Sequence, residues 1–583
     1  MIILNNKKTD FHICYDVLAS ECIRYGANEL QKYLYKATNC VVPLFSSKCP
    51  RRGAEIHLGL NVRGKDYSKY VEDLSEEGFA IVRDNGDLAM VSKSSRGVMY
   101  AIYYFLERFI KLNALDSEMV VYENVNKIEV LDDIKVDLPF EYRECYFTDA
   151  FNSKFASMNM LNSNLADLSV RLGGKTKWYN FHHSFSDLIN PNEYFDTHPE
   201  YFSEIDGVRV KEHTELCLSN EDVFELCLKR VKQWIKDNPE CKVFSVAQDE
   251  WMGHFIRMAC ECKDCKAFDD AHESQSASII RFVNRIAAAL EEEYPDILIH
   301  TFAYQYSRKP PVGLEVHKNV IVRLTNIECS WAESIEEGAI RDPQGRNASF
   351  LSDLIGWSKL TNRLYIWDYS VNYRNYLLPF PCFRSMAKNI ELYKKIGVKG
   401  LLMQGNFSNG GKGYFDELKS FVSAKMMRSN EKLEDIISYF CDHYYGSASK
   451  YVQEYLYLFE DNIQGKTLWL YDDADSDLFS DEIVLKARCL INKALEVAKN
   501  DSDLVKKHLN VLELGVRYLE LVRMPLDISN RNQLIDQFDN DLRQYQITEL
   551  FERTNLDYSI NIMKNSLYAK ERPDWYSLYY IMK

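Results

Sequence analysis

The sequence predicts an α/β protein: a (β/α)8 TIM-like barrel preceded by a small α+β domain and followed by an α-helical domain. Three observations carry this expectation. Between residues 136 and 428, short apolar runs alternate with amphipathic stretches of helical period, as successive βα units do. Before residue 135, two alternating runs meet at Asp84-Asn85-Gly86, a strong hairpin signal. After residue 429, no strand pattern interrupts the helical periodicity. The domains are therefore placed at 1–135, 136–428 and 429–583, in keeping with a chain of 583 residues that is too long for one ordinary domain.

In the first domain, YGANELQKYLYKAT sets Leu30, Tyr33 and Leu34 on one helical face, and AEIHLGL is a short strand. EEGFAIVRDNGDLAMVS is the hairpin, and RGVMYAIYYFLERFI is a long apolar helix able to cover the sheet. NVNKIEVLDDIKVDLP is charged and weakly patterned, and reads as a link. In the barrel, EYRECYF, WYNFHHSF, KVFSVAQ, ILIHTFAY, NVIVRL, RLYIWDY and VKGLLMQG read as strands, with an eighth expected between residues 158 and 172. LSNEDVFELCLKRVKQWIKDNP is a helix: Ser219 and Asp222 form a capping box, Val223, Cys227, Val231 and Trp234 make the apolar stripe, and Pro239 ends it. The helices SASIIRFVNRIAAALEEEYPD, FLSDLIGWSKL and FRSMAKNIELYKKIG lead into later strands. No G-x-G-x-x-G follows the first strand, which weighs against a dinucleotide-binding sheet.

Composition narrows the function. Hydrophobic residues are 46% and charged residues 27%, as in soluble globular proteins. A net charge of −15 argues against nucleic acid and against an anionic membrane surface. No apolar run approaches the roughly 18 residues of a membrane-spanning helix. The start, MIILNNKKTDFHICYD, lacks the basic-then-apolar order of a secretory leader, so the chain reads as cytoplasmic, or as secreted or periplasmic if a leader has been removed. The 15 cysteines, many inside apolar stretches, suit reduced thiols rather than a disulfide framework. Aromatic residues reach 13%, with 38 Tyr, 30 Phe and 8 Trp; such rings stack on sugar faces, although they equally well fill a core. The expected partner is an oligosaccharide or glycan substrate, with no nucleic acid and no membrane, and with a homodimer left open.

Active sites of (β/α)8 enzymes lie at the C-terminal ends of the strands. Those ends hold Arg143, His182 and His183, the pair Asp249-Glu250, Tyr304, Arg323, then Trp367, Asp368 and Tyr369, and finally Gln404. Asp249-Glu250 is the sharpest feature. Glycoside cleavage needs a protonated carboxyl for the leaving oxygen, and neighbouring carboxylates raise each other's pKa. Adjacent strand residues point to opposite sides, so the pair cannot flank one bond as acid and nucleophile. The division of labour that fits is Glu250 as the acid and Asp249 holding a substrate group that attacks internally. A solvated loop start is the plainer alternative. For His182-His183, one hydroxyl donor and one packed ring is favoured over a metal site. Cys260, Cys262 and Cys265 in CECKDC offer three thiols of a zinc site, with His254 or His272 as a fourth ligand; a reduced cluster or a local disulfide suits the spacing equally well. No cofactor is expected, and no metal enters the catalytic reading. Trp331 and Trp367 are candidate sugar platforms, with Trp367 favoured.

The run VAQDEWMG through CECKDCKAF, with RFVNRIAAALEEEYPD, HTFAYQYSRKPP, KNVIVRL, YIWDYSVNYRNYLLPFP, NIELYKKIGVKGLLMQG and HYYGSAS, resembles glycoside hydrolase family 163, formerly a bacterial domain of unknown function. The resemblance spans about residues 140 to 460. The front segment resembles the small α/β domain ahead of the barrel in β-hexosaminidases and α-glucuronidases, with RGVMYAIYYFLE as its closing helix. The resemblance implies an endo-β-N-acetylglucosaminidase that cuts the chitobiose core of N-glycans by a retaining, substrate-assisted mechanism. Asp249 would orient the 2-acetamido group, Glu250 would protonate the leaving oxygen, and Tyr304, Tyr369 and Trp367 would line the acetamido pocket. The rivals are an exo-acting β-N-acetylhexosaminidase or α-glucuronidase-like enzyme, for which Arg143 and Arg323 could receive an acidic sugar, and a non-catalytic glycan-binding protein.

Overall fold

A computed structural model describes residues 1–250, 259–407 and 412–566. The chain forms two compact units, one of Met1–Lys175 with Phe415–Ser449 and one of Thr176–Tyr414 with Lys450–Lys583.

The first unit holds a six-stranded sheet in the spatial order Ile134–Val136, Phe79–Asp84, Asp87–Ser92, Ala54–Leu58, Phe11–Tyr15, Leu44–Ser46. Its hairpin turns at Asn85 and Gly86, both at positive φ (48° and 89°), the backbone that an Asn-Gly pair supplies most cheaply. Helices Glu21–Thr38 and Ser95–Ile110 start where Ser20 and Ser94 accept backbone N–H bonds from Ile23 and Gly97. The two helices meet at Gly26, where an added Cβ would lie 2.8 Å from the Ile102 side chain. The charged segment read as a link carries two short strands, Lys127–Glu129 and Ile134–Val136; the second pairs with Phe79–Ile81 at the sheet edge. Three-residue edge strands are held by their neighbour rather than by their own pattern. EYRECYF, expected among the barrel strands, forms the strand Tyr142–Cys145, which lies within the residues of the first unit.

Among the described residues of the second unit, the strands Trp178–Tyr179, Val243–Ser245, Leu298–Ala303, Val320–Thr325, Leu364–Tyr369 and Gly400–Gln404 share one sheet. They pair in parallel, each beside its predecessor in the chain. Strict chain order is that of a barrel wall, since a doubly wound sheet reverses direction at a switch point. Helices fill most connections: Glu221–Asp237, Ser276–Leu290, Arg346–Leu360 and Phe383–Ile396. The stripe Val223, Cys227, Val231 and Trp234 is buried as expected, but the cap is Asn220, whose side chain accepts from the N–H groups of Asp222 and Val223, not Ser219. Pairing in WYNFHHSF stops after Tyr179 because Asn180 takes a left-handed φ of 48° and turns the chain.

The eighth strand expected between residues 158 and 172 does not form. Side chains there bind backbone groups that a ladder would have used. Asn162 accepts from Arg143 N–H and donates to Glu141 O, while Asn159 donates to Ala114 O and Phe155 O. After Gln404 the described residues hold helices and no strand, and none of those helices is long and apolar enough to cross a membrane.

Candidate active site

The strand Val243–Ser245 ends shortly before the acid pair, and the two carboxyls that follow it find different partners, Asp249 at Ser186 and Glu250 at Tyr304. Asp249 turns inward and is buried. Its Oδ2 accepts the Ser186 N–H at 2.8 Å, so it caps the short helix Phe185–Leu188 from outside that helix. Its own N–H donates to Glu215 Oε2 at 3.1 Å. Burial raises the Asp249 pKa to about 7 against the pull of the Ser186 hydrogen bonds, and the negative charge of Asp187 adds to the rise. The source is therefore desolvation, not the mutual repulsion of adjacent carboxylates expected from the sequence.

Glu250 faces the other way, with its side chain 26% exposed. The Tyr304 hydroxyl donates to its Oε1 at 2.5 Å. On the other side, His183 Nε2 stands 3.7 Å from Oε2. His183 Nδ1 lies 2.5 Å from the Gln248 carbonyl, which can only accept, so Nδ1 carries the ring proton. Burial lowers the pKa of His183, which keeps the ring neutral and leaves the Nε2 lone pair towards Glu250. The Glu250 carboxyl thus stands partly open between a phenol hydroxyl and an imidazole nitrogen.

An aromatic wall continues from this point. Trp367 is partly exposed, and its indole N–H donates to Gln404 Oε1 at 3.1 Å. Gln404 in turn donates to Gly405 O, which fixes its amide. The Trp367 ring lies 5.5 Å from His182 and 6.0 Å from both Phe181 and Phe302. Phe302 carries the wall on to His183, 5.0 Å away. His182 is solvent-exposed, yet enclosure by protein pushes its pKa down to about 3, helped by His183, Arg323 and Arg553, as befits a neutral ring in a concave surface.

The structure thus brings together Glu250, Tyr304, His182, His183, Trp367 and Gln404, with Asp249 behind them. Five other candidates lie elsewhere. Arg143 belongs to the first unit, buried, with its guanidinium spent on Glu77, Met160 O and Phe140 O. Arg323 is fully buried against the rings of Trp178 (4.2 Å) and Phe181 (4.4 Å), a floor under the site rather than a ligand group. Asp368, next to Trp367 on one strand, necessarily points the opposite way. It accepts from Asn326 Nδ2, Trp331 Nε1, Tyr393 OH and Tyr369 N, a complete internal set. Tyr369 is buried beside Trp331 and Tyr373. Trp331 is 1% exposed and serves packing.

Sequence reasoning missed two carboxyls. Glu215 is buried beneath Asp249, whose charge adds to the burial that raises its pKa well above the usual range. Glu552, from the helical C-terminal segment, has its pKa raised to about 7 by burial, with Glu250 among the charges that raise it. Its N–H donates to Tyr373 O at 3.0 Å. Neither sits at a strand end, and no local pattern announces them.

A sulfur cluster lies beyond Glu215. Cys217, Cys260, Cys262 and Cys265 are all buried, with their Sγ atoms within 4.8 Å of one another. Among the described residues, this group alone brings three or more such side chains together at metal-binding range. The fourth member is Cys217; His272 is held by Val312 O instead, and His254 lies outside the described residues.

No curated protein matches the chain. Among solved structures it is similar to CpGH84B, at 12% identity and a TM-score of 0.44, covering 96% of this chain and 97% of that one. It is also similar to a GH138 enzyme targeting pectin rhamnogalacturonan II, at 10% identity and a TM-score of 0.43, covering 94% and 74%. A third is the β-N-acetylhexosaminidase from Bacteroides fragilis NCTC 9343, at 11% identity and a TM-score of 0.40, covering 79% and 94%. The family described as a domain of unknown function, DUF4838, matches residues 114–457, more than half of the chain. The protein belongs to the DUF4838 family.

Proposed function

We propose that the protein is a glycoside hydrolase acting on β-linked N-acetylglucosaminides, with Glu250 as the general acid and base. The observation that carries this reading is the Glu250 carboxyl, partly exposed, hydrogen-bonded by Tyr304, faced by the His183 lone pair and neighboured by the aromatic wall of Trp367. Such a wall suits the apolar face of a pyranose, and such a carboxyl suits protonation of a glycosidic oxygen. Asp249 is directed away from Glu250, which favours an internal nucleophile, the 2-acetamido group of the substrate. Because Asp249 is occupied by Ser186, its part begins as a positioning residue that holds the loop carrying Glu250. The resemblance to glycoside hydrolase family 163 makes the chitobiose core of an N-glycan, cut in endo fashion, the first substrate to try.

A second mechanism is favoured by one specific observation. Glu552 sits within electrostatic reach of Glu250 and is shifted to about 7, so it could complete a two-carboxyl pair. Glu250→Gln should lower kcat/KM on an aryl N-acetyl-β-glucosaminide and on an N-glycan by about 100-fold or more. Wild-type turnover in this variant would exclude the assignment. Glu552→Gln separates the mechanisms. Loss comparable to that of Glu250→Gln, together with weak inhibition by an N-acetylglucosamine thiazoline, supports the two-carboxyl pair. Near-normal turnover with strong thiazoline inhibition supports the acetamido route.

A further inference from the structure

CECKDC and Cys217 come from separate stretches of chain, yet their four sulfurs converge. Cys217 Sγ is 3.7 Å from Cys262 Sγ and 4.0 Å from Cys265 Sγ. A tetrahedral zinc ion with Zn–S bonds of about 2.3 Å sets its sulfurs about 3.8 Å apart. None of the four thiols is in a disulfide. The local backbone explains how they meet. Cys262 occupies the N-cap of helix Lys263–Ala271 and Cys265 lies in its first turn, so a spacing of three puts both sulfurs on one side. Cys217 precedes helix Glu221–Asp237, and Cys260 sits beside the hairpin of Glu204–Ile205 and Val208–Arg209.

The surroundings are those of bound thiolates rather than of four inert thiols. The Glu204 N–H points at Cys260 Sγ at 3.4 Å, and Arg209 Nη1 lies 3.6 Å from the same sulfur. Ser219 Oγ is 3.1 Å from Cys265 Sγ, 3.5 Å from Cys217 Sγ and 3.6 Å from Cys262 Sγ. Arg209 is anchored there by Phe202 O and Glu204, and its charge at the edge of the cluster also suits a tetrathiolate zinc centre, which carries two net negative charges. Closed four-sulfur coordination leaves no position for water or substrate, which marks a structural centre and not a catalytic one.

We propose that Cys217, Cys260, Cys262 and Cys265 bind one structural zinc ion that ties together the 204–209 hairpin, the 215–219 loop and the start of helix Lys263–Ala271. Binding replaces four S–H bonds by four Zn–S bonds and releases four protons, giving a site of net charge −2 balanced in part by Arg209. The inference is independent of the substrate and of the reaction at Glu250.

The test is metal analysis of the full-length protein, purified without a metal-affinity step. One zinc ion per chain is expected, released in proportion as an organomercurial titrates the thiols. Cobalt exchanged into the site should give the ligand-field spectrum of a tetrahedral tetrathiolate. Cys217→Ser and Cys265→Ser should lose the metal, and Cys489→Ser, which alters an exposed cysteine outside the cluster, should keep it. If the ligand variants fail to fold, the metal content and cobalt spectrum of the wild-type protein decide alone. Metal-free protein that takes up no zinc after reduction and refolding with the ion overturns the proposal. A disulfide within the cluster in freshly isolated protein, or iron in place of zinc, overturns it equally.

Discussion

Asp249 has two lives, as an acid beside Glu250 and as the cap of a neighbouring helix, and burial governs both. Its pKa rises from 3.8 to about 7 in the folded protein, so the native state holds this proton more tightly than the unfolded chain does. Stability contributed through this group is therefore full below about pH 4 and declines as pH climbs to about 7, by an amount on the order of a few kcal/mol. Asp249→Asn, which still accepts from Ser186 N–H, should raise Tm above pH 7 and leave it unchanged near pH 4. Thermal melts across that range check it; a variant less stable at high pH would contradict burial as the governing cause. At this scale the sequence told that Asp249 and Glu250 diverge, although the backbone there is no longer a strand. It could not tell that Arg143 and Arg323 turn inward, because a strand-end arginine looks the same whether it meets a ligand, Glu77 or a ring. Nor could it find Glu552, which reaches its place only through tertiary folding.

Elements were legible when their signal was local. The Asn85-Gly86 turn, the Val223–Trp234 stripe and the apolar strands from Leu298 to Gln404 all stand as read. Gly86 at φ 89° is the firmest of these, and a β-branched side chain there would be forced into left-handed backbone. Gly86→Val should destabilise the first unit by about 1–3 kcal/mol, measurable as a lower midpoint in urea with an unchanged slope. Signals that compete locally were misread. Asn162 and Asn159 draw the 158–172 segment away from a strand by binding backbone groups, and Asn180 cuts the Trp178 strand to two residues. The edge strand Ile134–Val136 has the reverse history: its sequence is unpromising, and the open edge of Phe79–Asp84 recruits it.

At the scale of the molecule, sequence pattern implied three successive domains, whereas compactness divides the chain into two units that each draw on two stretches. Periodicity is read within windows of a dozen or so residues and carries no information on a chain that leaves one body and returns to it. The C-terminal helices show the consequence: Leu433–Tyr444 falls in the first unit and Asp481–Val497 onwards in the second, although both read as one helical tract.

Cys217 stands two residues from Glu215, and Glu215 receives the N–H of Asp249. If the cysteine cluster carries zinc, the quality of a preparation becomes a matter of bookkeeping in the growth medium. Cells starved of the ion should yield a mixture of competent and slack molecules. Such a batch should behave as a smaller amount of normal enzyme, with Vmax falling in step with metal content while KM stays constant. Graded zinc supplementation, followed by activity and metal assays on the same samples, should give a straight line through the origin; full turnover from metal-poor protein would sever the loop from the cluster.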